Sequence, residues 1–144
     1  MRCPTALGLH IYSGAFTLGM SRHFEIVGQW EEGDWGAATF ELNFPRVPHP
    51  LTLEDWPTRD ARPTVMFANP PCAPWSAAGG QLGMADPRVQ FTKNCMDAAL
   101  TLKPEIYVVE SVCRAWSPKF GRQLFEEYAE RFQRLGYAVT ILLT

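Results

Sequence analysis

The chain has 144 residues and a formal net charge of −2 at pH 7, a length that is enough for one domain with its own core. No apolar run reaches the roughly 18 residues that a membrane span needs, and no basic segment followed by an apolar core indicates a signal peptide. The four cysteines are widely spaced, without a CxxC or Cys/His pattern typical of zinc. We therefore expect a cytoplasmic protein with reduced thiols and no bound metal.

The N-terminal part of the chain predicts a strand, a turn and a helix. Leu7 to Tyr12 is a buried strand, Ser13-Gly14 is a turn, and Phe16 to His23 is a short helix. This arrangement is a generic nucleotide-binding pattern that many folds share, because free backbone N–H groups at a helix start can bind an anion. His10 lies on the apolar strand, where a histidine is usually a core residue.

A second predicted strand, Glu25 to Trp30, ends in the pair Glu31-Glu32. In dinucleotide-binding folds an acidic residue after the second strand binds ribose hydroxyls. The alternative is that these carboxylates lie near the start of the next helix, where acidic side chains are favoured in any protein. A proline-rich connection, Pro45 to Pro63, follows that helix and contains one short predicted strand near Leu51 to Leu53.

The most informative stretch begins with a buried strand at Val65 to Ala68 and continues into Pro70-Pro71-Cys72. Each proline ring fixes φ, and the second proline holds the first one extended. Cys72 therefore lies on a stiff arm that leaves the end of a strand, where open α/β sheets bind their ligands. Such an arm suits a nucleophile, because a misplaced attacking atom loses most of its rate advantage. The alternative is an ordinary half-buried loop cysteine.

Beyond the cysteine, a long loop is followed by alternating helices and strands. Ala73 to Asp86 has the small and polar residues of a loop, and long loops in compact domains are usually functional. Pro87 is expected to open a helix whose apolar residues have helical spacing from Val89 to Leu102. Strand Glu105 to Glu110, helix Pro118 to Leu135 and a final strand Tyr137 to Leu143 follow. The order of elements predicts an α/β fold.

Glu110 ends a strongly apolar strand, EIYVVE. We expect it to be partly buried, which would favour the neutral form of its carboxyl group, the form that donates a hydrogen bond. The alternative is a strand-end glutamate paired with an arginine such as Arg114.

The segment FANPPCAPWSAAG resembles the cysteine loop of DNA (cytosine-5) methyltransferases, whose pattern is Gly-Gly-Pro-Pro-Cys-Gln-x-Phe-Ser. Trp75 replaces the phenylalanine, and Asn69 and Ala73 replace a glycine and the glutamine. Two other segments are similar to the same family. Its Lys-Pro-x-x-x-x-x-Glu-Asn-Val pattern is present with Ser111 in place of asparagine, and its opening Asp-Leu-Phe-Ser-Gly pattern with His10 in place of aspartate. The matching residues are Tyr12, Ser13, Gly14, Phe16, Pro70, Pro71, Cys72, Ser76, Lys103, Pro104, Glu110 and Val112.

The resemblance implies an α/β Rossmann-like, S-adenosylmethionine-dependent methyltransferase fold with a mostly parallel sheet and helices on both faces. Residues 1–144 would form a single catalytic domain that lacks the target-recognition region and the C-terminal motifs. The implied reaction is methyl transfer from S-adenosyl-L-methionine to carbon 5 of cytosine in double-stranded DNA, with Cys72 as the covalent nucleophile and Glu110 as the hydrogen-bond donor to the ring. The implied cofactor-binding residues are Tyr12, Ser13, Gly14, Phe16, Glu31 (with Glu32 as its alternative), Asp55 and Pro70.

The residues leave two other functions open. Asn69-Pro70-Pro71 is similar to the Asn-Pro-Pro-aromatic loop of enzymes that methylate exocyclic amino groups, but those enzymes have an aromatic residue at the position of Cys72. The second alternative is an incomplete or inactive relative that binds cofactor or DNA, with a second chain or a missing C-terminal part as its partner. The charge of −2 favours this alternative, because DNA binding needs a basic face. Candidate phosphate contacts are Arg59, Arg62, Arg88, Arg114 and Lys119.

Overall fold

Parallel strands form a four-stranded sheet in the order β2-β1-β3-β4. The computed structural model describes residues 3–31, 34–44 and 62–143. The strands are β1 (Thr5–Leu9), β2 (Glu25–Trp30), β3 (Val65–Ala68) and β4 (Ile106–Val109). The α-helices of the described residues are α1 (Ala15–Met20), α2 (Asp34–Asn43), α3 (Val89–Leu102) and α4 (Arg122–Arg134). The predicted α/β fold with a parallel sheet is confirmed.

The chain divides into two compact units. The sheet unit comprises residues 1–70 and 101–110 and contains the four strands. The helical unit comprises residues 71–100 and 111–144 and contains α4 and most of α3. A single catalytic domain over residues 1–144 stays a prediction.

The core of the sheet unit is built on β3. Val65, Met66, Phe67 and Ala68 are each at most 2% exposed, because β3 pairs with β1 on one side and β4 on the other. Central strands of parallel sheets are covered on both faces, which explains the continuous apolar run. Full burial of one such large side chain stabilises the fold by about 1.5–3 kcal/mol. The packed cluster comprises Ala6, Ile11, Val65 and Phe67 with Phe40 of α2, flanked by Phe16 and Met20 of α1.

The edge strand β4 is much less buried than β3. Ile106 is 53% exposed and Val108 is 40% exposed, and the alternate residues Tyr107 and Val109 are half-buried. Among the described strands, β4 pairs only with β3. The apolar sequence of β4 therefore does not by itself place it in the core.

In the helical unit, α4 packs against α3 through one apolar face. Leu124, Tyr128 and Phe132 are buried, which agrees with the predicted amphipathic helix. An ion pair of 3.0 Å joins Arg131 to Asp97 of α3. Gly136 follows the helix with a φ of +91°, and left-handed glycines of this kind commonly end helices.

The predicted final strand, Tyr137 to Leu143, is wrong: these residues form no strand in the structure. The backbone N–H of Tyr137 donates to the carbonyl of Phe132, 3.1 Å away, and the two rings pack edge to face with centroids 5.5 Å apart. The chain after α4 is therefore turned back onto the helix, and a strand without a pairing neighbour does not form. Val139, Ile141, Leu142 and Leu143 are all exposed.

Other differences concern the ends of elements. The first strand stops at Leu9 rather than at Tyr12, because His10 and Tyr12 have φ values of +49° and +48° and have left the extended region. The last helix begins at Arg122 rather than at Pro118, after turns in which Phe120 N–H bonds to Ser117. The short strand predicted near Leu51 to Leu53 lies outside the described residues.

No helix in the described part of the chain is long and apolar enough to cross a membrane.

Candidate active site

The carboxyl ends of the four parallel strands share one edge of the sheet, where α/β folds bind their ligands. In the strand order, β2 lies on one side of β1, and β3 and β4 lie on the other side. The topological switch point of the sheet is therefore between β1 and β3. Segments that follow the strands at this edge are His10 to Gly14, Glu31, Asn69-Pro70 and Glu110. The sheet unit thus brings most of the predicted site residues to one edge.

The loop after β1 has a strained backbone. His10 and Tyr12 adopt φ values of +49° and +48°, which cost free energy for residues other than glycine and are frequent at functional sites. Gly14 has a φ of +89°, and a β-carbon there would lie 2.4 Å from the Phe44 ring and 2.7 Å from the Phe40 ring. Glycine is therefore required at this turn by both conformation and space.

Glu31 fastens this loop to the end of β2. Its Oε2 atom accepts a hydrogen bond of 2.5 Å from the backbone N–H of Tyr12, whose own side chain is 63% exposed. His10, in the same loop, is 5% exposed, as expected for a core histidine. Burial lowers the pKa of His10, and the negative charge of Glu31 opposes that shift. Two predicted site residues, Tyr12 and Glu31, are in direct contact.

A buried polar contact supports the same loop from below. Thr17 of α1 donates a hydrogen bond of 2.5 Å to Oε1 of Gln29 in β2, and both residues are 0% exposed. Phe16, the neighbouring predicted site residue, packs on Phe67 with ring centroids 4.9 Å apart. Sequence reasoning missed the Thr17–Gln29 pair, although a glutamine inside a buried strand was a signal for it.

Asn69 and Glu110 meet where β3 and β4 end. The backbone N–H of Asn69 donates to the Leu9 carbonyl at 3.1 Å, and that of Glu110 donates to the Ala68 carbonyl at 2.9 Å. The side-chain amide Nδ2 of Asn69 donates a hydrogen bond to Oε2 of Glu110. Sequence reasoning missed this pair, although the departure of Asn69 from the family glycine was its signal.

The expectation that Glu110 is partly buried is wrong, because the residue is exposed. The physical reason is that it directly follows the edge strand β4, where residues alternate between exposed and half-buried.

Cys72 belongs to the helical unit and is exposed. Its backbone carbonyl accepts hydrogen bonds from the N–H groups of Trp75 at 3.0 Å and Ser76 at 2.9 Å. These bonds close a turn immediately after the two prolines. The thiol is accessible, and its backbone is restrained by the two prolines before it and by these two hydrogen bonds after it.

Trp75 anchors the cysteine loop in the helical unit. The residue is 0% exposed, and its ring packs against Phe125 of α4 with centroids 6.4 Å apart. A β-carbon at Gly121 would lie 3.1 Å from the Trp75 ring and 2.8 Å from the Ala115 carbonyl. Gly121 therefore makes room for the indole, which is larger than the phenylalanine of the family pattern.

The far end of the cysteine loop is closed by Asp86 and Arg88. Asp86 is 2% exposed and accepts hydrogen bonds from Arg88 N at 3.0 Å, Nε at 2.9 Å and Nη2 at 2.7 Å. These bonds hold the pKa of Asp86 at about 2, below its ordinary value. The pair caps the start of α3, so Arg88, a candidate phosphate contact, has a structural partner.

The other candidate phosphate contacts also have partners inside their own units. Arg62 Nε donates to the Lys103 carbonyl at 2.7 Å. Arg114 Nη2 donates to Gln81 at 3.2 Å and, like Lys119, lies over the Phe120 ring. Of the predicted residues, Arg59, Asp55 and Glu32 lie outside the described ranges. No cluster of His, Cys, Asp or Glu among the described residues could hold a metal ion.

The profile of the C-5 cytosine-specific DNA methylase family matches residues 6–144. The chain belongs to this family. The match extends over nearly the whole chain, including the cysteine loop and the strand that ends at Glu110. The resemblance of the sequence motifs to cytosine-5 methyltransferases is thereby confirmed.

Individual DNA methylases are similar to this chain over a part of their length. The type II methyltransferase M.NgoBI of Neisseria gonorrhoeae is 29% identical over 115 residues, which are 77% of this chain and 34% of that protein. The type II methyltransferase M.FnuDI of Fusobacterium nucleatum is 26% identical over 145 residues, 94% of this chain and 40% of that protein. The chain thus spans well under half the length of these relatives.

A solved structure has the same fold. It is described as a DNA modification methyltransferase encoded within a prophage of E. coli, with a TM-score of 0.73 and 18% sequence identity. The alignment covers 91% of this chain and 38% of that protein. This confirms the Rossmann-like methyltransferase fold.

Within this DNA methylase fold, the roles of the predicted site residues stay predictions. The sheet unit brings Tyr12, Gly14 and Glu31 together around the loop after β1. It also pairs Glu110 with Asn69, the residue before Pro70. Cys72 lies in the helical unit, two residues beyond Pro70 in the chain.

Proposed function

We propose that the complete protein transfers a methyl group from S-adenosylmethionine to carbon 5 of cytosine in double-stranded DNA through a covalent adduct with Cys72. The observation that carries the proposal is an exposed Cys72 on a Pro-Pro arm directly after β3, in a chain of the C-5 cytosine-specific DNA methylase family. The rest of the chemistry follows from what a cysteine and a carboxyl group can do to a cytosine ring.

Cys72 acts as the nucleophile. Its thiolate adds to carbon 6 of cytosine, forming an S–C6 bond while the electrons of the ring double bond move toward ring nitrogen 3. Carbon 5 then becomes nucleophilic and can accept a methyl group. Loss of the carbon 5 proton to a base restores the double bond and expels Cys72. The two hydrogen bonds from the N–H groups of Trp75 and Ser76 to the Cys72 carbonyl support this role, because they restrain the backbone that carries the thiol.

Glu110 stabilises the negative charge that develops at ring nitrogen 3. Its carboxyl group donates a proton or hydrogen bond to that nitrogen as negative charge develops there. The position of Glu110 at the carboxyl end of β4 supports this role, since ligands of α/β sheets bind at that edge.

The loop after β1 and the end of β2 fit an S-adenosylmethionine site. Tyr12, Ser13 and Gly14 belong to the strained loop after β1, and Phe16 lies in the first turn of α1. Glu31 presents a carboxylate suited to ribose hydroxyls. A β-carbon at Gly36 of α2 would lie 3.0 Å from the Tyr12 backbone, so α2 packs closely against this loop. When bound, the cofactor supplies the electrophilic methyl group. Pro70 and, outside the described residues, Asp55 complete the proposed set.

The proposed substrate is a cytosine turned out of the duplex, because carbon 6 is not accessible within a base stack. We propose that DNA gripping and target recognition come from a second chain or from a C-terminal part with no counterpart here. The chain spans 34% to 40% of its relatives, and its candidate cations in the described residues have intramolecular partners. The chain alone should therefore have weak or no turnover.

The deciding experiment is trapping on a DNA duplex that contains 5-fluorocytosine, with S-adenosylmethionine present. Fluorine at carbon 5 blocks the final elimination, so the adduct survives denaturation. Trapping needs only one addition per molecule, so even weak activity of the chain accumulates as adduct. We expect an adduct with the wild-type chain and with Cys3→Ala, which removes another exposed cysteine, and none with Cys72→Ala. An adduct that persists in Cys72→Ala would refute the proposed nucleophile.

Two outcomes would favour the alternative functions. Measurable cofactor binding without any adduct on the fluorinated duplex would identify an incomplete or inactive relative that acts as a binding subunit. Full methylation by Cys72→Ser would identify an exocyclic-amino methyltransferase, for which Asn69-Pro70-Pro71 is the supporting feature.

A further inference from the structure

We propose that Asn69 is a positioning residue that fixes which oxygen of Glu110 carries the proton. The inference rests on the proposed role of Glu110 at ring nitrogen 3 and extends it to a neighbour. The carrying observation is the hydrogen bond from Asn69 Nδ2 to Glu110 Oε2 at the carboxyl edge of the sheet.

The backbone holds both partners before their side chains meet. Asn69 is tied to β1 by its N–H bond to the Leu9 carbonyl, 3.1 Å long. Glu110 is tied to β3 by its N–H bond to the Ala68 carbonyl, 2.9 Å long. The preceding residues, Ala68 and Val109, are register partners in the sheet. The side-chain bond therefore joins two fixed points and does not have to order a loose segment.

The chemistry of the two groups determines where the proton lies. The Nδ2 group of asparagine is a donor only, so the oxygen that it contacts must act as an acceptor. Oε2 of Glu110 is that oxygen. When the carboxyl group is protonated, its proton is held on Oε1, which has no other described hydrogen-bond partner within the sheet unit.

The same bond assists the step in which the proton leaves. As the thiolate adds to the ring, the Oε1–H bond of Glu110 gives its proton to ring nitrogen 3, and the electron pair stays on the carboxylate. A donor on Oε2 stabilises that carboxylate, because hydrogen bonds to charged acceptors are stronger than those between neutral groups. Asn69 thus orients the acid and stabilises its conjugate base.

This assignment is specific to the present sequence. The cytosine-5 pattern has a glycine at the position of Asn69, and glycine has no side-chain donor. Because Glu110 is exposed, a fixed hydrogen bond replaces burial as the means of orienting its carboxyl group. A rival explanation is that Asn69 merely stabilises the end of β3.

The pair itself can be tested without any activity. In the purified full chain, the side-chain amide resonances of Asn69 should shift as the solution is acidified, and Glu110→Gln should abolish that shift. The Asn94 side-chain amide, which accepts from Gln90 in α3 at 2.8 Å, is the matched internal control and should be unaffected. If the Asn69 resonances respond to pH equally in Glu110→Gln, the pair does not form and the inference is wrong.

The functional arm measures the rate of adduct formation on 5-fluorocytosine DNA. We expect about a tenfold loss of the maximal trapping rate in Asn69→Ala, with the half-saturating DNA concentration within about twofold, because the effect acts on the step and not on binding. Asn94→Ala should react at the wild-type rate. Asn69→Asp should resemble Asn69→Ala at neutral pH and approach the wild-type rate in acid, where both carboxyl groups carry a proton: the new aspartic acid donates to Oε2, and Glu110 keeps its own proton on Oε1 for ring nitrogen 3.

The ratio of Asn69→Asp to Asn69→Ala at each pH is the decisive quantity, since ionisation of Cys72 affects both variants equally. A ratio that rises as pH falls supports positioning, because a merely structural role would not restore rate in acid. A constant ratio, or a wild-type rate in Asn69→Ala, overturns the inference. If the wild-type chain forms no adduct, the proposed function of the isolated chain fails, and the amide titration alone then decides the pair.

Discussion

The backbone N–H of Tyr12 donates a hydrogen bond of 2.5 Å to Oε2 of Glu31, which joins the loop after β1 to the end of β2. This bond occupies one carboxylate oxygen of Glu31 and thereby restricts the orientation of the other oxygen. A carboxylate at this position in a methyltransferase fold is suited to a pair of ribose hydroxyls. The conformation of the strained loop after β1 and the position of Glu31 are therefore coupled.

Glu31→Gln should weaken binding of S-adenosylmethionine by about tenfold, because hydrogen bonds to an ionised acceptor contribute about 1.5–3 kcal/mol and those to a neutral amide contribute less. Isothermal titration calorimetry on the purified chain measures the change. Glu25→Gln is the matched control, since Glu25 begins the same strand at its opposite end and is exposed. Equal affinities for the two variants would remove Glu31 from the cofactor site.

Two glycines of the same region should respond oppositely to alanine. Gly14→Ala should destabilise the fold by about 1–3 kcal/mol, because the residue has a φ of +89° and its new β-carbon would meet Phe40 and Phe44. Gly19→Ala should stabilise it by about 0.5–1 kcal/mol, because Gly19 lies in α1 and a β-carbon there meets nothing within 4 Å. Urea denaturation followed by circular dichroism measures both. A loss of stability in Gly19→Ala would contradict the described geometry of α1.

Trp75→Ala should cost about 3–5 kcal/mol of stability, because it removes a fully buried ring from its contact with Phe125. Trp75→Phe should cost clearly less, because a phenyl ring retains most of that contact. The same two variants should slow adduct formation in the same order, since Trp75 anchors the turn that carries Cys72. Denaturation midpoints and trapping rates, compared side by side, test this, and a trapping rate unchanged in Trp75→Ala would contradict the anchoring role.

Asp86 should make the stability of the chain sensitive to acid. Its hydrogen bonds with Arg88 depress the pKa of the folded-state carboxyl group from 3.8 to about 2. The stabilisation is therefore present above pH 3.8 and is lost as pH falls toward 2. Asp86→Asn should be less stable than the wild type at pH 5–7, and the difference should vanish near pH 2. Urea midpoints measured across this range test the sign, and Asp97→Asn, at an exposed ion pair, should show a smaller difference.

The sequence allowed accurate prediction of the elements whose apolar residues are continuous or helically spaced. Glu25–Trp30 and Val65–Ala68 have the predicted bounds, and the helix expected to open at Pro87 begins at Val89 and ends at Leu102 as predicted. Their burial patterns are set by the residues themselves, so no distant contact is needed to find them. The same reasoning predicted the amphipathic helix before Gly136, although that helix begins at Arg122 and not at the predicted Pro118.

The errors arose where another part of the molecule decides the outcome. A strand at Tyr137 to Leu143 has the right composition, but a strand also needs a neighbour, and Tyr137 instead bonds back to α4. Glu110 follows an apolar strand, but that strand is at the edge of the sheet and leaves the carboxyl group exposed. Its partner Asn69 comes from a strand 41 residues earlier in the chain, a distance that no local pattern spans.

Among the described strands, β4 has a pairing neighbour on one side only, and this has a consequence for handling the protein. An edge strand that presents Ile106 and Val108 to solvent offers a template for another extended chain. Copies of this chain should therefore self-associate as concentration rises, and recovery during expression should be limited by aggregation before catalysis can be assayed. A single charged replacement, Val108→Lys, blocks edge-to-edge pairing without touching the residues after the strand. Sedimentation velocity at increasing concentration would then show a monomer for Val108→Lys where the wild-type chain forms larger species.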